Sequence, residues 1–214
     1  MQVELNMNRK TRISALLGCT ALAGLFLTPG AGAADINKVV EVCATCHGKD
    51  GVSTESDIPT IAGFSRKYLI SALTEHKNKT RPCPETKIRE GAKKGEKSDM
   101  CQSTRELSDD DINQVAGYYE GKKFAPAKQA FDAALAKKGK EIHDINCDKC
   151  HSEGGRVADD DAGINAGQWM PYLQQQMDDM KSGKRKAPKK MKPKLDGLDK
   201  ASVDALLNYY GSKQ

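Results

Sequence analysis

Apolar side chains recur at three- and four-residue intervals along most of the chain beyond residue 34. Ile36, Val39, Val40 and Cys43 fall on one face of a helix, with Asp35 as its N-cap. Leu69, Ala72, Leu73 and His76 repeat the spacing, as do Leu173, Gln176, Met177 and Met180. A later helix shows Ile112, Val115, Ala116 and Tyr119 behind Ser108 and an acidic first turn, Asp109 to Asp111. Its counterpart shows Val203, Leu206, Leu207 and Tyr210, opened by Asp199. No segment alternates with period two, so the pattern predicts an all-α fold.

The first thirty residues differ in kind. Arg9, Lys10 and Arg12 precede an uncharged apolar run from Ile13 to Leu27, and Ala31-Gly32-Ala33 follows. This order predicts a signal peptide over 1–33 and an exported, periplasmic product. The run is short for a membrane span, and no stable span is expected. Cys19 after Leu16-Leu17-Gly18 faintly resembles a lipoprotein cleavage site. Cutting there would halve the apolar run, so cleavage near Ala33 or Ala34 is the better reading.

The pattern also repeats. A shift of 104 residues lays Ala62-Gly63 on Ala166-Gly167, Tyr68-Leu69 on Tyr172-Leu173, and Lys77, Arg81 and Pro84 on Lys181, Arg185 and Pro188. The shift then falls to 91, under which Met100 meets Met191, Leu107 meets Leu198, and Tyr118-Tyr119 meets Tyr209-Tyr210. Copy one therefore carries 13 extra residues between Pro84 and Met100. The expected organisation is a first domain over 34–121, a connector over 122–138 and a second domain over 139–214. The connector holds Pro126 and a short helical stretch from Phe131 to Leu135, which reads as ordered rather than as a free tether.

Composition narrows the chemistry. Net charge is +5, and without the leader it is +3, from 31 basic and 28 acidic side chains. That balance gives no case for nucleic-acid binding. Aromatics make up 5% of residues, a thin core that calls for a staple.

The 104-residue shift overlays Cys43-Ala44-Thr45-Cys46-His47 on Cys147-Asp148-Lys149-Cys150-His151. Cys-x-x-Cys-His is the signature of covalent c-type haem attachment. On a helical turn, thiols three apart share a face and can add to the two vinyl groups of one porphyrin edge. The adjacent histidine, His47 or His151, can then ligate the iron. A single motif could be half of a zinc site; two, each with its own histidine, point to two haems. Cys83 and Cys101 remain outside the motifs. In an exported protein they suggest a disulfide, closing a loop of 17 intervening residues worth roughly 3 kcal/mol in the chain-entropy model. Two free thiols are the alternative.

A methionine as sixth ligand favours electron transfer. Met100, Met170, Met177, Met180 and Met191 are the candidates after the leader. Met100 and Met191 match under the repeat, each in a loop seven residues before a leucine, and are the expected distal ligands. Met177 and Met180 read as core filler on a helix face, and Met170 has no methionine counterpart. An open or bis-histidine site is the alternative. His143 shares a helix with the second motif and His76 matches Met180, so both read as structural.

Lys181 to Lys194 holds eight basic residues and no acid around Met191. It reads either as a collar steering an acidic redox partner or as a solvated loop. Asp159 to Asp161 reads as a turn, and the paired tyrosines as packing on haem edges or a domain interface. Nothing resembles a nucleophile–base pair, and no catalytic residue is assigned.

The duplicated Cys-x-x-Cys-His, Ala-Gly, Tyr-Leu and Met-x6-Leu pattern resembles the dihaem class I cytochromes of the cytochrome c4 type. That resemblance implies two tandem class I cytochrome c domains, each wrapped around one covalently bound haem. Pro126-Ala127-Lys128-Gln129, Phe131-Asp132, Ala134-Leu135-Ala136, Ile142-His143-Asp144, Ala166-Gly167-Gln168-Trp169 and Pro171-Tyr172-Leu173 resemble the cytochrome subunit of flavocytochrome c sulfide dehydrogenase. This implies a separate FAD-bearing subunit that oxidises sulfide, with this chain passing the electrons to a soluble acceptor cytochrome. A free dihaem shuttle feeding a terminal oxidase is the alternative; a peroxidase would need an open iron. The shuttle family also implies that Pro59 offers its carbonyl to the ring N–H of His47; Gly163 stands in its place in the second half, so the resemblance does not carry an equivalent contact over to His151.

Overall fold

The computed structural model describes residues 35–214. The expectations for the signal peptide and for Cys19 lie outside the described residues.

Four helices build the first half: α1 (Ile36–His47), α2 (Arg66–Lys77), the five-residue α3 (Met100–Thr104) and α4 (Asp109–Glu120). The second half contains α5 (Ala133–Asn146), the short turn α6 (Ser152–Gly155), α7 (Met170–Lys181), α8 (Lys192–Asp196) and α9 (Lys200–Gly211). The repeat holds at the level of helix ends. α7 covers the residues that α2 reaches on the 104-residue shift, and α9 those that α4 reaches on the 91-residue shift.

Helix starts follow side-chain chemistry. Asp35 accepts from Asn37 N, Ser65 from Tyr68 N, Asp132 from Ala134 N and Leu135 N, and Asp199 from Ser202 N. Ser108 and Asp111 form a reciprocal capping box.

Two expectations are corrected, and a minor strand pair is added to a fold that is otherwise helical as expected. The connector's helical stretch is the first turn of α5, which runs without a break into the second half. Asp132 satisfies two of the free N–H groups there, so the helix begins well before the second motif. A two-residue antiparallel pair, β1 (Thr86–Lys87) with β2 (Lys97–Ser98), lies inside the copy-one insertion. It is too short to leave an alternating pattern. Finally, Met100 opens α3 and Met191 caps α8, so neither sits in a plain loop.

Two apolar clusters form the core. Leu173, Met177, Met180, Leu195, Val203, Leu206 and Tyr210 fill the second half. Phe64, Leu69, Val115, Ala116 and Tyr119 fill the first, joined by Ile164 from the second half. Within the second half, α5 and α9 cross at Gly139, where a Cβ would lie 2.0 Å from the Ala205 carbonyl oxygen. Among the described residues no helix is long and apolar enough to cross a membrane.

Candidate haem sites

The first motif lies on the last turn and a half of α1, which places Cys43, Cys46 and His47 on helical backbone. His47 is buried, and its Nδ1–H donates to the Pro59 carbonyl at 2.9 Å. That bond sets the ring and leaves Nε2 to meet a metal. Burial holds the imidazole below its ordinary pKa, against the pull of the Pro59 contact, and so keeps it in the neutral, ligating form. Cys43 packs on the first core beside the Tyr119 hydroxyl, where burial pushes its thiol up to about 11.

The second motif departs from the helical expectation. α5 stops at Asn146, and Cys147 to Cys150 form a turn closed by His151 N donating to Cys147 O at 2.9 Å. The two thiols thus remain one turn apart without a continuous helix. Cys147 lies beside the Tyr210 hydroxyl, the repeat partner of Tyr119. These two tyrosines pack within each half on its first attachment cysteine, not at the domain interface.

Gly163 stands where Pro59 stands in copy one. Its φ is +78°, closed to proline, and a Cβ there would lie 2.9 Å from the Tyr68 ring of the first half. His151 instead meets the Asn165 side-chain amide, whose nitrogen is placed 3.1 Å from Nδ1. Ligation through Nε2 requires a proton on Nδ1, and hence the amide oxygen turned toward it. Burial, followed by the charge of His143, also holds His151 below its ordinary pKa.

His143 is 0% exposed and shares a 3.0 Å hydrogen bond with the Tyr210 hydroxyl, which gives it a packing role between α5 and α9. His76 is buried beside Cys83, at 3.3 Å from Nδ1 to Sγ. Cys83 and Cys101 are disulfide-bonded, as their position around the insertion suggests. The insertion folds back on the first motif, where Arg89 N and Glu90 N both donate to the Thr45 carbonyl at 3.0 Å. Thr45 lies between the two attachment cysteines, and the second motif has no such strap.

Met100 and Met191 are both half-buried at the head of a short helix. α3 packs on α2, and Met191 packs on the second core. The basic run around Met191 is not uniform. Lys181 Nζ donates to the Leu195 and Leu198 carbonyls, Lys192 pairs with Asp196, and Arg185 turns inward, while Lys184, Lys186, Lys189 and Lys190 remain exposed. Of the acidic turn, Asp160 accepts from Ser152 and Asp161 pairs with Lys67 at 2.7 Å.

Sequence spacing flagged one further cluster only as matching letters. Tyr68 and Arg81 of copy one meet Tyr172 and Arg185 of copy two across the contact between the halves. Arg81 donates to Tyr172 Oη at 3.0 Å and to Gln176 Oε1 at 2.6 Å; Arg185 donates to the same Gln176 oxygen at 3.0 Å. Burial raises the Tyr68 hydroxyl, but the charges of Arg81 and Arg185 outweigh it and bring its pKa down. Glu75 pairs with Arg185 at 3.5 Å, yet Arg185 Nε is buried with no hydrogen-bond partner. The buried Arg81 guanidinium and the largely buried Arg185, with a donor to spare, fit an anionic ligand such as the carboxylates of a haem.

The fold and the two motifs define a dihaem c-type cytochrome. Residues 33–120 match the family described as Cytochrome c. Cytochrome c4 from Stutzerimonas stutzeri is 30% identical over 189 residues, spanning 82% of this chain and 84% of that protein. The crystal structure of reduced recombinant cytochrome c4 from Pseudomonas stutzeri superposes with a TM-score of 0.66 at 27% identity, covering 85% of this chain and 100% of that one. A thiosulfate dehydrogenase from Marichromatium purpuratum shares the fold, with a TM-score of 0.65 at 24% identity over 84% of this chain and 40% of that one. The chain belongs to the cytochrome c4 family of electron-transfer proteins, whose cofactors are two covalently attached haem c groups.

Proposed function

We propose that this chain is the dihaem carrier of a sulfide-oxidising system, exported to the periplasm, with domains over 34–121 and 139–214. Cys43 and Cys46 attach one haem, ligated by His47 and Met100; Cys147 and Cys150 attach the other, ligated by His151 and Met191. Haem c supplies a one-electron iron couple when bound. The chain's own residues orient and insulate it. Pro59 and Asn165 aim the two imidazoles, Tyr119 and Tyr210 pack on the attachment cysteines, and Arg81 with Arg185 hold carboxylates between the halves. The observation that carries the carrier reading is this last cluster, which joins the two sites through one buried contact.

The donor in this reading is a flavoprotein sulfide dehydrogenase with its own FAD, and the acceptor a soluble cytochrome. Support comes from the resemblance in the connector and the Gln168-Trp169 segment. The free shuttle to a terminal oxidase is favoured by a different observation: Gln168 and Trp169 are engaged between the two halves rather than offered to a partner. Gln168 brackets Thr60, and Trp169 Nε1 donates to Ser53 O.

Purification from native periplasm separates the two. Stoichiometric flavin co-eluting with the haem, and reduction by sulfide, supports the complex; a flavin-free protein reduced only by other cytochromes sinks it. For the ligands, Met100→Ala and Met191→Ala should each remove about half of the methionine–iron charge-transfer band of the ferric protein. An unchanged band in either variant overturns that assignment.

A further inference from the structure

The insertion is a strap with one covalent latch. It starts at Pro82-Cys83-Pro84, just beyond the end of α2, pairs β1 with β2, lays Arg89 and Glu90 on the Thr45 carbonyl, and returns at Cys101, the residue after Met100. The disulfide is half-exposed. It opens on a surface cleft of about 270 Å³ lined by Lys79, Cys83, Asp99, Cys101, Gln102 and Arg105. On the buried side His76 stands 3.3 Å from Cys83 Sγ. We propose that Cys83–Cys101 is a thiol-exchange site, open to small thiolates or hydrosulfide through this cleft, whose cleavage loosens the strap and the Met100 ligand of the first haem. The inference rests on Met100 being that ligand.

The groups present suit the exchange. Two cations, Lys79 and Arg105 (the latter paired with Glu106), face one carboxylate, Asp99, which caps α3, so the lining admits an anionic nucleophile. A thiolate attacks Cys101 Sγ, the S–S bond breaks, and its electron pair leaves on Cys83 Sγ. The His76 tautomer carrying hydrogen on Nδ1 donates to that sulfur, which then takes a proton from solvent. A second thiolate attacks the outer sulfur of the mixed disulfide and releases Cys101. Two small thiols are oxidised to one disulfide, and the protein disulfide is reduced to two thiols.

The effect reaches Met100 because α3 is too short to hold itself. A five-residue helix has little stability of its own and depends on what ties it down. Prolines on both sides of Cys83 stiffen the α2 end of the latch, so the freed end is the one that carries Met100. The second half has no equivalent bond. There Lys181 pins α8 through the carbonyls of Leu195 and Leu198, which thiols leave untouched.

The test uses folded ferric holoprotein under anaerobic conditions. It is exposed to dithiothreitol, alkylated without denaturant, and the haems are then reoxidised with ferricyanide. Mass spectrometry should find both Cys83 and Cys101 alkylated, and the charge-transfer band should fall by about half, since one of two sites loses its methionine. The same treatment of Met100→Ala should leave its remaining band unchanged. Alkylation only after unfolding overturns the exchange site. Full alkylation with an intact band overturns the link to Met100. If instead Met100→Ala itself keeps the full band, the ligand assignment has failed, and the alkylation result still decides the exchange site. A Cys83→Ser/Cys101→Ser variant gives an independent check: imidazole should bind one haem at least about tenfold more tightly than in wild type. Equal affinity counts against the latch.

Discussion

At His76, burial and charge act in the same direction. Burial first, then the positive charges of Arg81 and Arg185, bring its pKa from 6.5 to about 3. The folded value lies below the unfolded one, so between them the unfolded chain binds more protons. The stability from this residue is complete above about pH 6.5 and drains as pH falls toward 3, by at most about 1.4 kcal/mol per pH unit. Urea midpoints measured from pH 7 to pH 4 should therefore fall more steeply in wild type than in His76→Gln. Parallel profiles would mean that the folded protein takes up that proton without cost. None of this is visible in the periodicity, which registers His76 only as a position on an apolar face. The same limit applies at Gly163. Spacing finds Pro59 and its absence in copy two, but the cause is the Tyr68 ring of the other half, 2.9 Å from where a Cβ would be. Asn165, the group that meets His151, leaves no signal in a repeat because copy one has no need of it.

Helix boundaries were legible where a side chain caps the backbone. Asp35, Ser108 and Asp199 announce α1, α4 and α9 through a local bond that depends on nothing distant. Boundaries set by tertiary packing were not. α5 starts at its Asp132 cap but ends before its motif, where it lies along α9, and that contact needs Gly139. A Cβ at this position would meet the Ala205 carbonyl at 2.0 Å and the Tyr209 Cβ at 2.7 Å, both on α9. Backbone cannot yield as a side-chain tip can, so the helices must separate. Gly139→Ala should lower stability by at least about 2 kcal/mol despite alanine's better helix propensity. Urea unfolding of the holoprotein measures it, and a variant as stable as wild type would show that the crossing can open without loss.

At the scale of the molecule, the residues that look most distinctive in the sequence act inside it. Gln168 is 0% exposed; its Oε1 accepts from Thr60 N at 3.0 Å and its Nε2 donates to Thr60 O at 2.8 Å. Gln129 of the connector in turn donates to Gln168 O at 2.8 Å and accepts from Met170 N at 2.9 Å. A repeat reveals two halves but not how they meet: Tyr68 and Arg81 meet their own counterparts, Tyr172 and Arg185, while a glutamine of copy two meets a threonine of copy one, an unlike pair that no repeat can announce. The buried amide is therefore the place to test whether the halves unfold together. Gln168→Ala strands the Thr60 N–H and C=O away from water, at a cost of about 2–5 kcal/mol. Much of that loss falls on the contact between the halves and little on the helices within each. Trp169, the only tryptophan, sits at this contact with Nε1 on Ser53 O at 3.1 Å, so its fluorescence reports the contact while far-ultraviolet dichroism reports the helices. In wild type the two signals should change at the same urea concentration, as one cooperative unit requires. In Gln168→Ala the tryptophan signal should change first, at clearly lower urea, with the dichroism transition moved less. Coincident transitions in the variant at the wild-type midpoint would mean that the apolar packing of Ile164 and Tyr68 holds the halves together without the amide.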